Sequence, residues 1–353
     1  MAPLLASLLL AACGGSAAQP AGSAAAKPSS PVASAALYSG ADRQQKLEDA
    51  ARKEGTVMWY TTLAAPPLDT IPAAFEKKYP GITVQKYRGT PEEVMHRAVE
   101  EASAKQYIFD VMEAGDSALL PLSSQDLFQP FSSPLLDKFP ADSQWKAPGG
   151  GVTAVITRMS ISGFGYNTTK LSGSAVPASY EDLLKPELKG KMAWPGSDLP
   201  PRIIGNLLAH QGEDFVRQLA KQDMKVYAGS ATVVQDLIGT GEVPGSPGAY
   251  RNQMGALKKK GAPADWVALE PVTPSPGGPA LSKNAPHPNA AMLFIDFLLG
   301  PEVHDIMINE GYASPADKQP FSVWYPITGS TTADEYAKNY ATWSKLVKDL
   351  FGG

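Results

Sequence analysis

The chain has 353 residues, a formal net charge of −4 and a single cysteine, and 43% of its residues are hydrophobic. Its length and apolar content suffice for one large or two smaller packed domains, which excludes global disorder. The slightly acidic balance argues against nucleic acid as the main partner, and the lone cysteine excludes an internal disulfide framework or a cysteine-rich zinc site.

The cysteine, Cys13, follows a short apolar segment at residues 4–12. That segment has the length of a signal-peptide hydrophobic region and is too short to span a bilayer. The sequence "LAAC" at residues 10–13 fits the lipobox of bacterial lipoproteins, whose cysteine is lipidated and becomes the first residue after cleavage. A buried core cysteine is the alternative. We predict a signal peptide over residues 1–12 and a lipid on Cys13, although "MAP" lacks the usual positive charge.

Residues 14–36, "GGSAAQPAGSAAAKPSSPVASAA", are mostly Gly, Ala, Ser and Pro. Such a composition buries too little apolar surface to fold, so we predict that residues 13–36 form a lipidated, flexible tether. No later apolar run approaches the length of a membrane helix. The lipid would therefore be the only contact with the membrane.

From residue 37 the chain alternates between helical and extended patterns. A helix is predicted at residues 43–54 with Gly55 ending it, and "PLDTIPAAFEKKYPG" and "PEEVMHRAVEEASAK" are further helices. The segments "TVMWYTT", "ITVQKYRG" and "YIFDVMEAG" are predicted strands. Strands and helices in this order predict a parallel α/β sheet with right-handed crossovers.

A second α/β set follows. "ISGFGYN" and "KVYAG" are predicted strands, and "PPRIIGNLLAHQG", "EDFVRQLAKQD" and "SATVVQDLIGTGE" are predicted helices, the last with Ser230 as its N-cap. The late segment "NAAMLFIDFLLGPEVHDIMINEGY" predicts a pair of helices. Two α/β units predict two lobes with a ligand cleft between them.

Several stretches resemble the extracellular solute-binding proteins of bacterial ABC importers, above all the ferric-ion-binding branch. They include "GTVMWYTT", "AAFEKKYPGITV", "DVMEAG", "GFGYNTTKL", "PELKGKMAWP" and the Gly241-Glu242 pair, and the resemblance covers residues 48–315. It implies a two-lobed α/β periplasmic-binding-protein fold of class II type that closes by hinge motion. It also implies no catalysis, no cofactor, and a monomer outside the cytoplasmic membrane that delivers its ligand to an ABC permease and ATPase.

The resemblance also implies domain boundaries. Lobe 1 would comprise residues 37–158 and 272–318, and lobe 2 would comprise residues 159–271. Residues 319–353 would form a C-terminal helical segment that packs on lobe 2.

The ferric binders hold iron with two adjacent tyrosines after the "GE" strand. In this chain those two positions fall on Arg251 and Asn252, and only Tyr250 remains. A fixed guanidinium beside a cation is electrostatically unfavourable, whereas it can hold a carboxylate, phosphate or phosphonate by two hydrogen bonds. We therefore predict a small anionic solute and no metal, with ferric ion or an iron chelate as the alternative.

The candidate ligand residues lie at predicted strand ends and helix starts. Ser230, Ala231 and Thr232 begin a helix whose N–H groups can receive an anion. The other candidates are Thr61, Thr62, Gly115, Asp116, Tyr166, Ser197, Arg202, Tyr250 and Arg251. Asp116 has an alternative role as a helix-start carboxylate, Arg202 as the partner of a surface acid, and the tyrosines as packing residues.

Two alternatives belong to other classes. A receptor module that senses the ligand for a signalling partner would have the same sequence features. A secreted hydrolase is disfavoured because no Gly-x-Ser-x-Gly motif occurs and because the four histidines are scattered, at His96, His210, His287 and His304.

Overall fold

The computed structural model describes residues 30–325 and 332–352. Its helices are α1 (Pro31–Leu37), α2 (Arg43–Glu54), α3 (Pro67–Lys78), α4 (Pro91–Ser103), α5 (Asp116–Ser124), α6 (Leu199–His210), α7 (Glu213–Ala220), α8 (Ala231–Thr240), α9 (Arg251–Lys259), α10 (Pro288–Leu298), α11 (Pro301–Asn309) and α12 (Ala333–Phe351). Short 3-10 turns occupy parts of the connections at residues 136–143 and 173–188.

The strands are β1 (Thr56–Thr61), β2 (Thr83–Arg88), β3 (Val111–Gly115), β4 (Phe128–Gln129), β5 (Gln144–Lys146), β6 (Val152–Val155), β7 (Arg158–Asn167), β8 (Ala193–Gly196), β9 (Lys225–Ala228), β10 (Gly245–Tyr250), β11 (Ala264–Val267) and β12 (Pro274–Ser282). The main sheet runs in the order β10-β7-β12-β3-β1-β2, and β8 and β9 form a separate parallel pair.

Lobe 1 is built on the parallel strands β2, β1 and β3, which β12 extends in the antiparallel direction. Neighbouring residues of β1 face opposite sides of this sheet. Trp59 packs in a core with Phe75 and Phe294, whereas Tyr60 packs in a second core with Met112. Because both faces are covered, the strand is apolar along most of its length instead of alternating.

Lobe 2 is built on β7, which pairs in the antiparallel direction with β10 and with β11. Its main core contains Phe164 from β7, Trp194 from β8 and Ile204 from α6, all nearly free of solvent contact. A smaller core under α8 and α9 contains Val234 and Met254. Each lobe therefore has its own apolar interior.

The chain passes between the lobes in two long antiparallel strands. Residues 158–161 of β7 pair with residues 274–277 of β12, and β7 then continues into the sheet of lobe 2. Residues 277–281 of β12 pair with β3 in lobe 1. These two strands hold the lobes side by side and form the floor of the space between them.

Strand β12 has the sequence "PSPGGPALS". Prolines and glycines are uncommon inside strands, so the sequence pattern does not predict a strand here. The two glycines are required by close contacts. A Cβ on Gly278 would lie 1.8 Å from the carbonyl oxygen of Val155, and one on Gly277 would lie 2.7 Å from the guanidinium carbon of Arg158. Because glycine has no side chain, the backbone of Val155 can lie against Gly278 and the Arg158 side chain can lie against Gly277.

The predicted tether is wrong at its C-terminal end. Residues 30–36 are not flexible linker, because they belong to α1 and its N-cap, where the Ser30 hydroxyl accepts a hydrogen bond from the backbone N–H of Ala33 at 3.1 Å. Val32 and Ala36 pack into the core of lobe 1. Alanine favours helix as well as linker, and composition alone did not distinguish them. The predicted signal peptide, Cys13 and the rest of the tether lie outside the described residues.

The C-terminal segment also differs from the prediction. Residues 319–325 are not helical, and Val323 pairs with Val272 as an isolated bridge. Helix α12 then packs on α6 through its C-terminal half, including Leu350 and Phe351. Its N-terminal half contacts α5, and Tyr336 belongs to a core of lobe 1. The helix therefore packs on both lobes and not on lobe 2 alone.

Substituting Gly278→Ala should lower the free energy of unfolding by about 2–3 kcal/mol or more, because a methyl group there overlaps the backbone of Val155. Urea unfolding followed by tryptophan fluorescence measures this. Gly149→Ala is the matched control, since a Cβ there meets nothing within 4 Å, and its effect should stay within about 0.5 kcal/mol. Equal effects of the two substitutions would contradict the crossing geometry.

Candidate functional site

A cleft of about 230 Å³ lies between the lobes. It is lined by both lobes and by the crossing strands, and most of its lining side chains are hydroxyl-bearing. The lining residues are Thr62, Leu63, Ala64, Arg88, Gly89, Thr90, Pro91, Gly115, Ser117, Arg158, Ser160, Ser197, Asp198, Ser230, Ala231, Thr232, Tyr250, Gln253, Ser275, Pro276 and Tyr312.

Five helices begin at this cleft, namely α4, α5, α6, α8 and α9. Two of these N-termini stand out. Helix α6 also lacks a side-chain hydrogen bond at the N-cap and an acidic residue in the first turn, but its N-cap is the acidic Asp198. Helices α8 and α9 lack both features and have the uncharged N-caps Ser230 and Tyr250. Their first N–H groups and partial positive charges therefore face the cleft without internal compensation, an arrangement that favours a bound anion.

Arg158, the first residue of β7, brings a guanidinium into the cleft. The residue is only 8% exposed, and its Nε donates to Oε1 of Glu113 at 2.8 Å. The other carboxylate oxygen of Glu113 accepts from the Thr61 hydroxyl at 2.7 Å, which fixes the acid in place. Within the described residues, the two terminal nitrogens of Arg158 donate no hydrogen bond. A buried arginine with free donors at a cleft indicates a ligand that accepts hydrogen bonds.

Charge at Arg158 is maintained despite its burial. Burial acts to lower the pKa of the guanidinium, but Glu113 and the Tyr312 phenol raise it, and the pKa lies above its usual value. The second cleft arginine, Arg88, ends β2 and is exposed. It forms no ion pair with any residue that the structure describes. Two charged guanidiniums from lobe 1 thus face the helix N-termini of lobe 2.

Behind the cleft wall, Arg202 of α6 joins the two lobes. Its Nη2 donates to Oδ1 of Asp116 in lobe 1 at 2.7 Å and to Oδ2 of Asp198 in lobe 2 at 2.8 Å. Arg202 and Asp116 are both almost completely buried. Burial acts to lower the pKa of Arg202, but the two carboxylates raise it well above its usual value. This arginine is therefore a charged link between the lobes.

The structure brings seven of the predicted ligand residues to the cleft. They are Thr62, Gly115, Ser197, Ser230, Ala231, Thr232 and Tyr250. Their positions follow the expected logic, because Thr62 and Gly115 lie at the ends of parallel strands and the others lie at helix N-termini. Ser230 is at the N-cap of α8, as predicted, but its hydroxyl makes no capping hydrogen bond and is available to the cleft.

Five predicted residues lie elsewhere. Thr61 is buried and bonds to Glu113, and Asp116 and Arg202 pair with each other, so the expectation of a surface acid for Arg202 is corrected to a buried one. Tyr166 stacks on Phe164 within lobe 2. The last of the five is Arg251.

Arg251 points away from the cleft. Its Nη2 donates to the carbonyl oxygens of Gly311 and Tyr312, both at 3.3 Å, and its guanidinium lies over the ring of Phe321. Residue 251 begins α9, so its backbone is close to the cleft while its side chain turns outward. The guanidiniums that face the cleft and can bind an anion are therefore those of Arg88 and Arg158, which the sequence did not indicate.

Some cleft residues that were not predicted could have been found from the sequence, and others could not. Arg88 ends the second parallel strand as Thr62 follows the first, so the strand-end rule could have found it. Arg158 comes before the predicted strand, and its partner Glu113 lies inside an apolar one, so neither had a pattern. Ser160 directly precedes the predicted strand "ISGFGYN", and Ser275 lies in β12, which no sequence pattern indicated. Tyr312 ends the predicted late pair of helices, where no pattern indicated contact with a ligand.

Two phenols, Tyr250 and Tyr312, also line the cleft. Burial raises the pKa of both, so both are held as neutral phenols. Ferric ion prefers anionic oxygen ligands, and these two tyrosines would have to lose protons in a cleft that already carries positive charge. In the described part of the chain, no three His, Cys, Asp or Glu side chains are grouped so that they could hold a metal.

The sequence profile of a family described as bacterial extracellular solute-binding protein matches residues 110–329. The chain belongs to this family. The family prediction is thereby confirmed, and so is the expectation that the chain is a binding protein and not an enzyme, because the members are binding proteins. Within residues 30–325 and 332–352, no helix combines the length and apolar character needed to cross a membrane.

Individual relatives agree with the family. A Fe(3+)-binding periplasmic protein of Serratia marcescens is 30% identical over 161 residues, which is 44% of this chain and 46% of that relative. The chain thus spans just under half of the length of this curated relative. Iron-bound HitA from Pseudomonas aeruginosa is similar in structure, with a TM-score of 0.65, 18% identity and coverage of 84% of this chain and 99% of HitA.

The periplasmic binding protein AfuA from Actinobacillus pleuropneumoniae, solved with fructose-6-phosphate, is similar to the same degree. Its TM-score is 0.66 at 19% identity, with 84% of this chain and 99% of AfuA covered. These structural likenesses confirm the predicted two-lobed α/β fold. They do not distinguish between ligands, because one neighbour holds iron and the other a sugar phosphate.

Substituting Arg202→Met should destabilise the fold by about 3–5 kcal/mol, because it leaves the buried carboxylate of Asp116 without its partner. Urea unfolding measures the loss. The control is Arg217→Met, which removes one half of an exposed pair with Glu213 and should cost less than about 1 kcal/mol.

A pH series sharpens this test. Burial raises the pKa of Asp116, and without Arg202 the opposing effect of its positive charge is lost. The folded-state pKa then lies above the unfolded one, so the destabilisation is full at neutral pH and diminishes as the pH falls through the folded-state pKa. Arg202→Met should therefore gain stability relative to the wild type as the pH is lowered from 7. A pH-independent difference would contradict the buried pair.

Proposed function

We propose that the protein captures a small anionic solute, such as a phosphate ester, phosphonate or organic acid, between its lobes and delivers it to an ABC permease. The single observation that carries this proposal is Arg158. It is a nine-tenths buried arginine whose terminal nitrogens have no acceptor within the described residues, in the same cleft as the uncompensated N-termini of α8 and α9.

The energies of these groups favour binding of a small anion. A hydrogen bond to a charged group contributes about 1.5–3 kcal/mol, and a helix N-terminus contributes about 0.3–1 kcal/mol. These contributions offset the translational and rotational freedom that a ligand loses on association, so the bidentate arginine and the two helix termini act together. The volume of about 230 Å³ suits a ligand of few heavy atoms.

The delivery step rests on the family. A soluble binding protein with two lobes presents different surfaces when it is empty and when it is closed on ligand, which lets a permease distinguish the two states. We propose that the chain acts as a monomer outside the cytoplasmic membrane, held there by a lipid on Cys13. A membrane anchor keeps such a protein at its transporter without inserting it into the bilayer.

Ferric ion is the second candidate. The relative from Serratia marcescens is described as a Fe(3+)-binding protein, and two tyrosines, Tyr250 and Tyr312, line the cleft of this chain. The electrostatics oppose it, because the only charged side chains of the lining are Arg88, Arg158 and Asp198. One half-buried carboxylate and two neutral phenols offset little of a triple positive charge next to two guanidiniums.

Titration calorimetry with phosphate monoesters and carboxylates tests the proposal. We expect Arg88→Ala to weaken binding of the tightest of them about tenfold or more, because it removes a charge-assisted contact in the cleft. Arg251→Ala is the matched control. It removes the same charge from a side chain outside the cleft and should leave affinity within about twofold.

Addition of Fe³⁺ tests the alternative that the protein binds ferric ion. Addition of Fe³⁺ to the purified protein should give no phenolate charge-transfer band in the visible spectrum. Such a band, lost in Tyr250→Phe and unaffected by Arg88→Ala, would replace the anion proposal with the ferric one.

The lipid anchor has its own test. Full-length protein expressed in a bacterial host should partition into the detergent phase, and its mass should show a diacylglyceryl group on Cys13 with residues 1–12 removed. Cys13→Ala should stay in the aqueous phase. An unmodified Cys13 in membrane-extracted protein would contradict the anchor without affecting ligand binding.

A further inference from the structure

Asp198 is the one carboxylate among the described residues that line the cleft. It lies at the N-cap of α6, between Ser197 and Leu199, and its side chain is 31% exposed. The neighbouring side chains of the lining are mostly hydroxyls, which can donate or accept hydrogen bonds. A carboxylate can only accept them, so Asp198 cannot adapt to a purely anionic ligand.

Helix capping does not account for Asp198. Its side chain makes no capping hydrogen bond to the first turn of α6. Instead Oδ2 accepts from Nη2 of Arg202 at 2.8 Å. The other oxygen, Oδ1, accepts no hydrogen bond from any residue that the structure describes. An exposed acceptor is therefore left at the cleft surface.

Asp198 does not have Arg202 to itself. That arginine also pairs with the fully buried Asp116 through the same nitrogen, at 2.7 Å. Asp198 is the member of this cluster that faces the cleft, since Arg202 and Asp116 are only about 1% exposed.

The cleft thus has a positively charged part and a separate negatively charged part. Arg88 and the N-termini of α8 and α9 provide positive potential, and Arg158 adds free donors although Glu113 offsets its charge. Asp198 provides a separate negative point. Like charges close together at a protein surface repel and opposite charges attract, so a second anionic group beside Asp198 would be rejected and a hydrogen-bond donor would be favoured.

We propose that Asp198 is a specificity-determining residue that selects ligands carrying a hydrogen-bond donor, an ammonium or a hydroxyl group, beside their anionic group. This inference rests on the proposed function, since it names the substrate class within the same cleft. The ligand would place its phosphate, phosphonate or carboxylate at the arginines and helix N-termini. Its ammonium or hydroxyl group would donate to Oδ1 of Asp198.

Three phosphate monoesters of similar size test this by titration calorimetry: O-phosphoethanolamine, glycerol 3-phosphate and propyl phosphate. They share the anionic group and differ in carrying an ammonium, hydroxyls or only an apolar chain. We expect the first two to bind about tenfold or more tighter than propyl phosphate, the difference expected for one hydrogen bond to a charged group. Whichever of the two binds tighter identifies the donor.

The variant Asp198→Asn keeps the size of the side chain and removes its charge. It should weaken the binding of O-phosphoethanolamine about tenfold and that of glycerol 3-phosphate by less. Propyl phosphate should bind equally or more tightly, because the repulsion between its phosphate and the Asp198 carboxylate is removed. Asp214→Asn is the control, since Asp214 is an exposed acid on α7, away from the cleft. It should change none of the three affinities by more than about twofold.

The outcomes separate this inference from the proposed function. If propyl phosphate binds the wild-type protein as tightly as the other two esters, the role of Asp198 is overturned and anion binding stands. If Asp198→Asn weakens all three equally, the residue acts through the fold and the inference is again overturned. If none of the three esters nor a carboxylate with a donor group binds, both are overturned. The affinities of the three esters for the wild-type protein test the inference even if the Asp198→Asn variant does not fold.

Discussion

The crossing of β7 and β12 is the constraint on which the rest of the structure depends. Two antiparallel strands carry the chain from one lobe to the other. Gly277 of β12 leaves room for the Arg158 side chain of β7, and Gly278 leaves room for the backbone of Val155, the last residue of β6. The crossing aligns the strand ends of lobe 1 with the helix starts of lobe 2. Without it there would be two α/β units and no shared cleft.

Two arginines, one in the cleft and one behind its wall, are oriented by carboxylates of lobe 1. Glu113 is held by the Thr61 hydroxyl and orients Arg158 in the cleft, and Asp116 orients Arg202 behind the wall. Glu113 lies in β3, and Asp116 is the first residue of α5, directly after β3. Fixing a guanidinium in advance lowers the conformational entropy that the ligand must remove, so binding energy is not spent on ordering the site.

The two arginines differ in this respect. Arg158 is fixed from behind, whereas Arg88 is exposed at the end of its strand and makes no ion pair with a described residue. A long side chain of this kind can follow ligands of different shape, at the cost of losing rotamer freedom on binding. The cleft therefore combines a rigid anion contact with an adaptable one.

Local patterns predicted the α/β order of elements well where apolar periodicity was strong, as in β1 and α10. They failed at β12, whose prolines and glycines are tolerated only because of what the strand crosses, and at α1, whose alanines suit a linker equally well. In the site, strand ends and helix starts predicted Thr62, Ser197 and Ser230 at the cleft. The direction of side chains was not predictable from sequence. Arg251 was therefore predicted as the anion ligand although its side chain turns out of the cleft, and Arg158, which lines the cleft, was not predicted.

Helix α12 has a consequence for the energetics of release. Its N-terminal half contributes Tyr336 to a core of lobe 1, and its C-terminal half places Leu350 and Phe351 against lobe 2. A lobe motion that separated this helix from either lobe would expose aromatic surface to water. Because burial of apolar area contributes about 25 cal/mol per Å², the packing of α12 on both lobes opposes such a separation.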